Sequence, residues 1–419
     1  MRDGIAEMRG RFQRRTPECP GVVPSTGSSA TTAVLFAIFV PTGIVNTMLG
    51  PMLPLLSMQW SLSDAQAGYL FSAQFVGSIF GVAMSGGLVS WGGFRTVILA
   101  GLVMMAGGVG SLPVVPATLG LATVFVFGVG LGLIIPTANL LVATINPGSS
   151  AAALNYLNLF WGLGAVTCPF LVAACQRHFR TILPVEFGVA ALLSLCALSL
   201  ALLKISPKTA VEHPPSVSGT MPSIRNKPIL PVLAGLFFLY VATESGVAGW
   251  IASHAKRTGI GHGTLWAIVP AFFWGALLLG RAIGHLLLRV VSELAAIRIH
   301  LLVAIAGIIT LIAIPKLAAI LCGSVAAGLG LSTVFPAFIN ILSEKFGANA
   351  ARAGSLLFAL AGLGGALGPL TVGFVSEHFS LKAGFFVPLA GCVAMLALCR
   401  PRGKWRRQAP KSLCFETLM

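Results

Sequence analysis

The stretch Gly128-Val-Gly-Leu-Gly-Leu-Ile-Ile-Pro136 is matched two hundred residues later by Gly328-Leu-Gly-Leu-Ser-Thr-Val-Phe-Pro336, with Gly128, Gly130, Leu131 and Pro136 falling on Gly328, Gly330, Leu331 and Pro336. The register continues. Ala151, Gly162, Leu163, Gly164 and Pro169 fall on Ala351, Gly362, Leu363, Gly364 and Pro369, and His178-Phe179 falls on His378-Phe379. Gly and Pro impose backbone geometries that other residues replace poorly, so agreement at these positions marks a chain built from two copies of one unit. Shared helix-packing chemistry is the alternative explanation of the match.

Outward from this pair the chain stays apolar. It is 56% hydrophobic and only 9% charged over 419 residues, with a mean hydropathy of +0.92, against roughly 25% charged residues in soluble domains. Apolar runs of about twenty residues recur, each long enough to cross a hydrocarbon core of about 30 Å as a helix. A β-barrel needs strands of about ten residues with alternating polarity, and the 49 Gly and 25 Pro sit inside longer runs. Helices in lipid are therefore expected.

Twelve spans are predicted, near 33–57, 66–89, 96–113, 119–143, 151–174, 183–203, 229–252, 264–288, 295–315, 317–341, 352–376 and 383–400. Strict alternation places 21 of the 27 Lys and Arg on the side of the two tails and six opposite, namely Arg177, Arg180, Lys256, Arg257, Lys316 and Lys382. Cytoplasmic loops hold such an excess, so both termini are expected in the cytoplasm and the protein in the inner (plasma) membrane. The organisation reads as a tail (1–32), a six-helix bundle (33–203), a polar linker (204–228), a second six-helix bundle (229–400) and a tail (401–419). The first apolar run has no small-residue cleavage site close behind it and reads as a span.

The net charge of +16 lies in tails and loops rather than on one face, which argues against nucleic acid as a partner. The eight cysteines show no metal-ligand spacing and read as small core residues. Gly362, Gly364 and Gly365 imitate a dinucleotide loop, but no strand precedes them, and small residues at this spacing let membrane helices approach closely. No GxxxxGK segment is present, so no cofactor is expected and a gradient is the expected energy source. Two repeated bundles point to a carrier that rocks about a shared mid-membrane site.

Six plus six helices with cytoplasmic tails and a central loop resemble the major facilitator superfamily, over essentially the whole stretch from 33 to 400. Its loop between the second and third helices is matched by Gly87-Leu-Val-Ser-Trp-Gly-Gly-Phe-Arg95, with Ser90 where an Asp is expected. That resemblance assigns Arg95 to gating. Leu49-Gly-Pro-Met-Leu-Pro54, Gln66-Ala-Gly-Tyr-Leu-Phe-Ser-Ala-Gln-Phe-Val-Gly-Ser78 and Tyr240-Val-Ala-Thr-Glu-Ser-Gly-Val-Ala-Gly-Trp250, followed by Trp274-Gly and Leu279-Gly-Arg281, look like the fucose, galactose and glucose proton symporters. The resemblance implies a sugar substrate and proton coupling. The acidic residue expected in the first span is here Asn46.

An ionisable side chain within a span is functional or paired. Glu244 in the seventh span is the expected proton-coupling group, with Arg281 in the eighth as its partner. Glu186 is expected at a hydrated interface, and His285, a turn beyond Arg281, reads as a packing residue or a proton relay. Amides suit an uncharged substrate rich in hydroxyls: Asn46, Gln74, Asn139, Asn155 and Asn158 are the expected readers, with Trp250 and Trp274 stacking on its apolar face. The expected function is transport of a small polar solute, a sugar before others, by a monomer in the bilayer. Efflux of amphipathic compounds is the alternative, and neither a nucleophile with its base nor a metal-ligand pair supports an enzyme.

Overall fold

The computed structural model describes residues 26–203, 228–259, 263–287 and 291–400, and among them every regular element is a helix. The linker and both tails named above thus lie largely outside the described residues. The helices are α1 (Thr26–Thr47), α2 (Leu49–Gln59), α3 (Asp64–Ser111), α4 (Ala117–Ile145), α5 (Ser150–Phe179), α6 (Leu183–Leu202), α7 (Leu230–Arg257) and α8 (Leu265–Leu287). They continue with α9 (Glu293–Ala313), α10 (Leu317–Ser332), α11 (Val334–Phe346), α12 (Ala350–His378), α13 (Leu381–Gly384) and α14 (Phe386–Leu398).

Among the described residues eleven segments are long and apolar enough to cross a membrane, and one of them is long enough to cross twice. Helix α3 has 48 residues, about 72 Å at about 1.5 Å per residue, more than twice the hydrocarbon thickness. Gly93 breaks it with φ +75° and ψ 168°, a conformation that L residues with a Cβ avoid. The chain turns there, and the twelve predicted spans are all present. Pairs α1/α2, α10/α11 and α13/α14 each make one crossing. Proline explains all three interruptions: Pro51, Pro336 and Pro388 cannot donate to the carbonyls four residues earlier, Thr47, Ser332 and Gly384, which are the last residues of α1, α10 and α13.

The crossings before the linker pack mainly on one another, α3 on α4 and α6 and α1 on α5; those after it do the same, α7 on α12 and α14 and α10 on α8 and α9. The two groups meet through α3 with α12, α5 with α8 and α2 with α7. Repeated glycines sit at matching contacts. A Cβ on Gly128 of α4 would meet the Gln74 carbonyl on α3, and one on Gly328 of α10 the Phe273 carbonyl on α8. Gly164 and Gly364 likewise abut the carbonyls of Val40 and Phe238. Gly162 and Gly362 face the opposite group, against Leu278 and Ile79. The internal match therefore records equivalent backbone approaches in two bundles, as small residues permit in membranes. Of the cysteines, Cys168, Cys196, Cys392 and Cys399 are buried core residues as expected, whereas Cys322 is exposed.

Candidate functional site

Between the two bundles, about midway along the crossings, lies a cavity of about 270 Å³. Its first-bundle wall carries an amide pair: Gln74 on α3, 2% exposed, donates through Nε2 to the Asn46 carbonyl on α1 at 2.9 Å and lies 3.4 Å from Asn46 Oδ1. Asn158 on α5 also lines it, its amide anchored on the Leu154 carbonyl at 2.9 Å. Trp161 of α5 and Trp274 of α8 meet edge to face across the seam, with centroids 5.8 Å apart at 84°, a favoured aromatic geometry.

The second-bundle wall is charged. Arg281 of α8 lies 3.3 Å from Glu244 Oε1 of α7, joining the two residues that the sequence pairs. Tyr240, one turn before Glu244 on the same face of α7, donates to Glu244 Oε1 at 2.9 Å and lies 3.1 Å from the Leu331 carbonyl of α10. Arg281 Nη2 reaches the Tyr240 oxygen at 3.4 Å. Three helices thus converge on the Tyr240 hydroxyl, and two of them on the Glu244 carboxylate. Tyr240 stands in the motif that resembles the symporters without a role assigned to its hydroxyl; the i,i+4 spacing to Glu244 was the signal for it.

Other predicted site residues lie elsewhere. Asn139 donates to its own helix at the Ile135 carbonyl, 2.7 Å away, and neither it nor the exposed Asn155 lines the cavity. Trp250 is 1% exposed and pins α7 to α12 through Nε1 and the Pro369 carbonyl at 2.9 Å, so its indole holds the bundle rather than the cavity wall. Arg95, just past the Gly93 turn, donates to the Ala201 carbonyl at the end of α6. Glu186 corrects its expected hydration: it is fully buried in the first turn of α6, and neither carboxylate oxygen has a hydrogen-bond partner among the described residues. The helix that carries it, α6, packs on α3 and α1. The His285 side chain lies outside the described residues.

A second cluster escaped the sequence reading. At the end of the molecule opposite Thr26 and Leu398, Arg257 at the close of α7 grips Asp64 at the start of α3 with both terminal guanidinium nitrogens, Nη1 at 2.7 Å. Ser376 of α12 donates to the same carboxylate. Glu377 Oε2 accepts from Ser63 Oγ at 2.7 Å and from the Ala65 amide at 2.8 Å, capping the N-terminus of α3 from the other bundle. Each residue alone reads as a helix-end charge. Only the fold brings the ends of α3, α7 and α12 together and ties the bundles across the seam.

Two helical bundles holding a polar, charged cavity at mid-depth and tied together beyond it at one end define a membrane transporter. Residues 35–369 match the Major Facilitator Superfamily, and the chain belongs to that family. It is 26% identical over 386 residues to the glucose/galactose transporter of Brucella abortus biovar 1 (strain 9-941), covering 87% of this chain and 91% of that one. Among solved structures, a bacterial homologue of the human lysosomal transporter Spinster, inward-facing and unoccupied, superposes with TM-score 0.73 at 18% identity over 90% of this chain and 95% of that one. The fucose:proton symporter of E. coli gives 0.61 at 18% identity over 89% and 98%. The structural likenesses show the shared fold, and the glucose/galactose transporter is similar in sequence, as the motifs quoted above resemble that group.

Proposed function

We propose that the protein is a secondary carrier for a small polar solute of the sugar class, working by alternating access in the inner membrane as a monomer. The observation that carries this reading is the cavity itself, where amides on Asn46, Gln74 and Asn158 face the Glu244–Arg281 pair and Trp161 with Trp274 offers a stacking wall. About 270 Å³ sits just below the roughly 300–1,000 Å³ of drug-sized pockets, which favours a compact solute over a bulky amphiphile. The glucose/galactose transporter relative supports a sugar as the first substrate class to test.

In this reading the end bearing Thr26 and Leu398 is cytoplasmic, which the excess of Lys and Arg assigned to that side of the sequence supports. The Asp64–Arg257 and Glu377–Ser63 contacts then close the outer side, and the exposed Asn158 marks the inward path. The bundles 33–203 and 229–400 rock about the cavity to exchange the closed side. Glu244 takes the coupling proton, since it is the carboxylate that lines the cavity and its ion pair to Arg281 is broken by protonation. Arg95 gates only indirectly, by fixing the inner end of α6.

Uptake of labelled glucose, galactose and fucose into proteoliposomes under an imposed proton gradient tests the proposal. Accumulation above the equilibrium level, abolished by an uncoupler, is expected. Transport of none of the three, with extrusion of hydrophobic cations instead, favours efflux.

A further inference from the structure

Two carboxylate–guanidinium pairs among the described residues, Asp64–Arg257 and Glu244–Arg281, differ in kind. Arg257 holds Asp64 with two nitrogens on two oxygens, the saturated fork that an arginine makes in a structural tie. Arg281 is far from saturated. One nitrogen, Nη2, makes both of its contacts, to Glu244 Oε1 at 3.3 Å and to the Tyr240 hydroxyl at 3.4 Å, whereas strong charge-assisted bonds run about 2.7–2.9 Å. Its Nε is buried with no partner among the described residues. Glu244 engages Arg281 and Tyr240 through a single oxygen.

A guanidinium held this loosely, on the wall of a cavity whose opposite wall is lined by amides, has unused donors for a second anion. We propose that the solute carries a carboxylate: the site takes a sugar acid or similar polyhydroxy acid, its carboxylate on Arg281 and its hydroxyls toward Asn46, Gln74 and Asn158. This rests on the carrier reading above and specifies the substrate of the same cavity. Glu244 and the solute compete for one cation. Binding of the solute therefore transfers a proton from hydronium, whose O–H bond breaks as that of Glu244 forms, and releases Arg281 to the incoming carboxylate. The cavity carries one positive and one negative charge when empty. When loaded it carries Arg281, the solute carboxylate and a neutral Glu244, so its net charge is unchanged. Proton and acid cross together without moving charge, and the carrier need not pass a bare ion through the bilayer.

Calorimetry on the purified full chain with D-gluconate, D-glucuronate and D-glucose tests this. The expected result is binding of one or both acids at least about tenfold tighter than glucose, equivalent to about 1.4 kcal/mol. Heats measured in buffers of different ionisation enthalpy should show one proton taken up per acid bound. Arg281→Gln should erase the preference for the acid and Arg281→Lys should retain part of it, with gel filtration confirming that each variant stays monodisperse. In Glu244→Gln the acid should bind without proton uptake. Because the acid-to-glucose ratio is read on the unaltered protein, it does not depend on how the variants fold. Glucose binding as tightly as both acids, or acid binding without proton uptake in the unaltered protein, overturns the inference and leaves the sugar-carrier reading standing. Failure of all three ligands to bind overturns both.

Discussion

Glu244 is the residue on which the chemistry turns. Its carboxylate is reached by Arg281 and Tyr240 at the cavity wall, so Glu244→Gln should leave solute binding measurable while uptake no longer responds to an imposed proton gradient in proteoliposomes. Tyr240→Phe removes one charge-assisted hydrogen bond to that carboxylate, a bond of about 1.5–3 kcal/mol, and the thermal midpoint in detergent should fall. Glu186 makes the opposite case. A buried carboxyl without partners is a liability, and Glu186→Gln should raise the thermal midpoint at alkaline pH, by about 1–3 kcal/mol of stability, because the cost of desolvating an unpaired polar group grows with its charge. Glu244 and Arg281 were legible because ionisable groups are rare within spans. The burial of Glu186 was not, since a position four residues into a helix can face headgroups or a neighbour, and only helix packing decides which.

Helices in this chain are set by length and by glycine. Gly93 allows one continuous apolar stretch to make two crossings, because its positive φ ends the second span where its backbone turns. Gly93→Ala meets no side chain there, so any loss is backbone strain, about 1–2 kcal/mol. Gly164 and Gly364 are the reverse, since their backbones are unstrained and their Cβ positions are filled by the carbonyls of Val40 and Phe238. Gly164→Ala and Gly364→Ala should each destabilise the fold by about 1–3 kcal/mol, the usual range for overpacking, whereas Gly86→Ala, with open space around it, should not. Thermal unfolding in detergent followed by circular dichroism measures all four. The repeat in the sequence named these glycines. It could not say which face of each helix they occupy, and so could not separate Gly164, inside a bundle, from Gly162, on the seam against Leu278.

For the whole molecule, the contacts among Asp64, Arg257, Ser376 and Glu377 bind one bundle to the other at a single end. Removing the tie with Asp64→Asn and Glu377→Gln should shift the population toward the conformation open at that end. A cysteine in place of Asn46, tested in a background without the native cysteines, should then react faster with a membrane-impermeant maleimide from that side. An unchanged rate would show that apolar contacts, such as Gly249 against Phe71 and Gly68 against Leu370, hold the seam without the charges.

Sequence alone determined that the chain lives in lipid, that it crosses twelve times, and that its halves repeat, because hydropathy, span length and the geometry of Gly and Pro are properties of the local chain. It also picked out Glu244, Arg281, Asn46, Gln74, Asn158 and Trp274 for the cavity. Tertiary structure alone decided that Asn139, Asn155 and Trp250 face elsewhere, that Tyr240 joins the charged pair, and that the ends of α3, α7 and α12 form a tie. The physical reason is rotation about the helix axis: each residue advances by about 100°, so the spacing that places a side chain within a span leaves open whether it meets the cavity, a neighbouring helix or lipid.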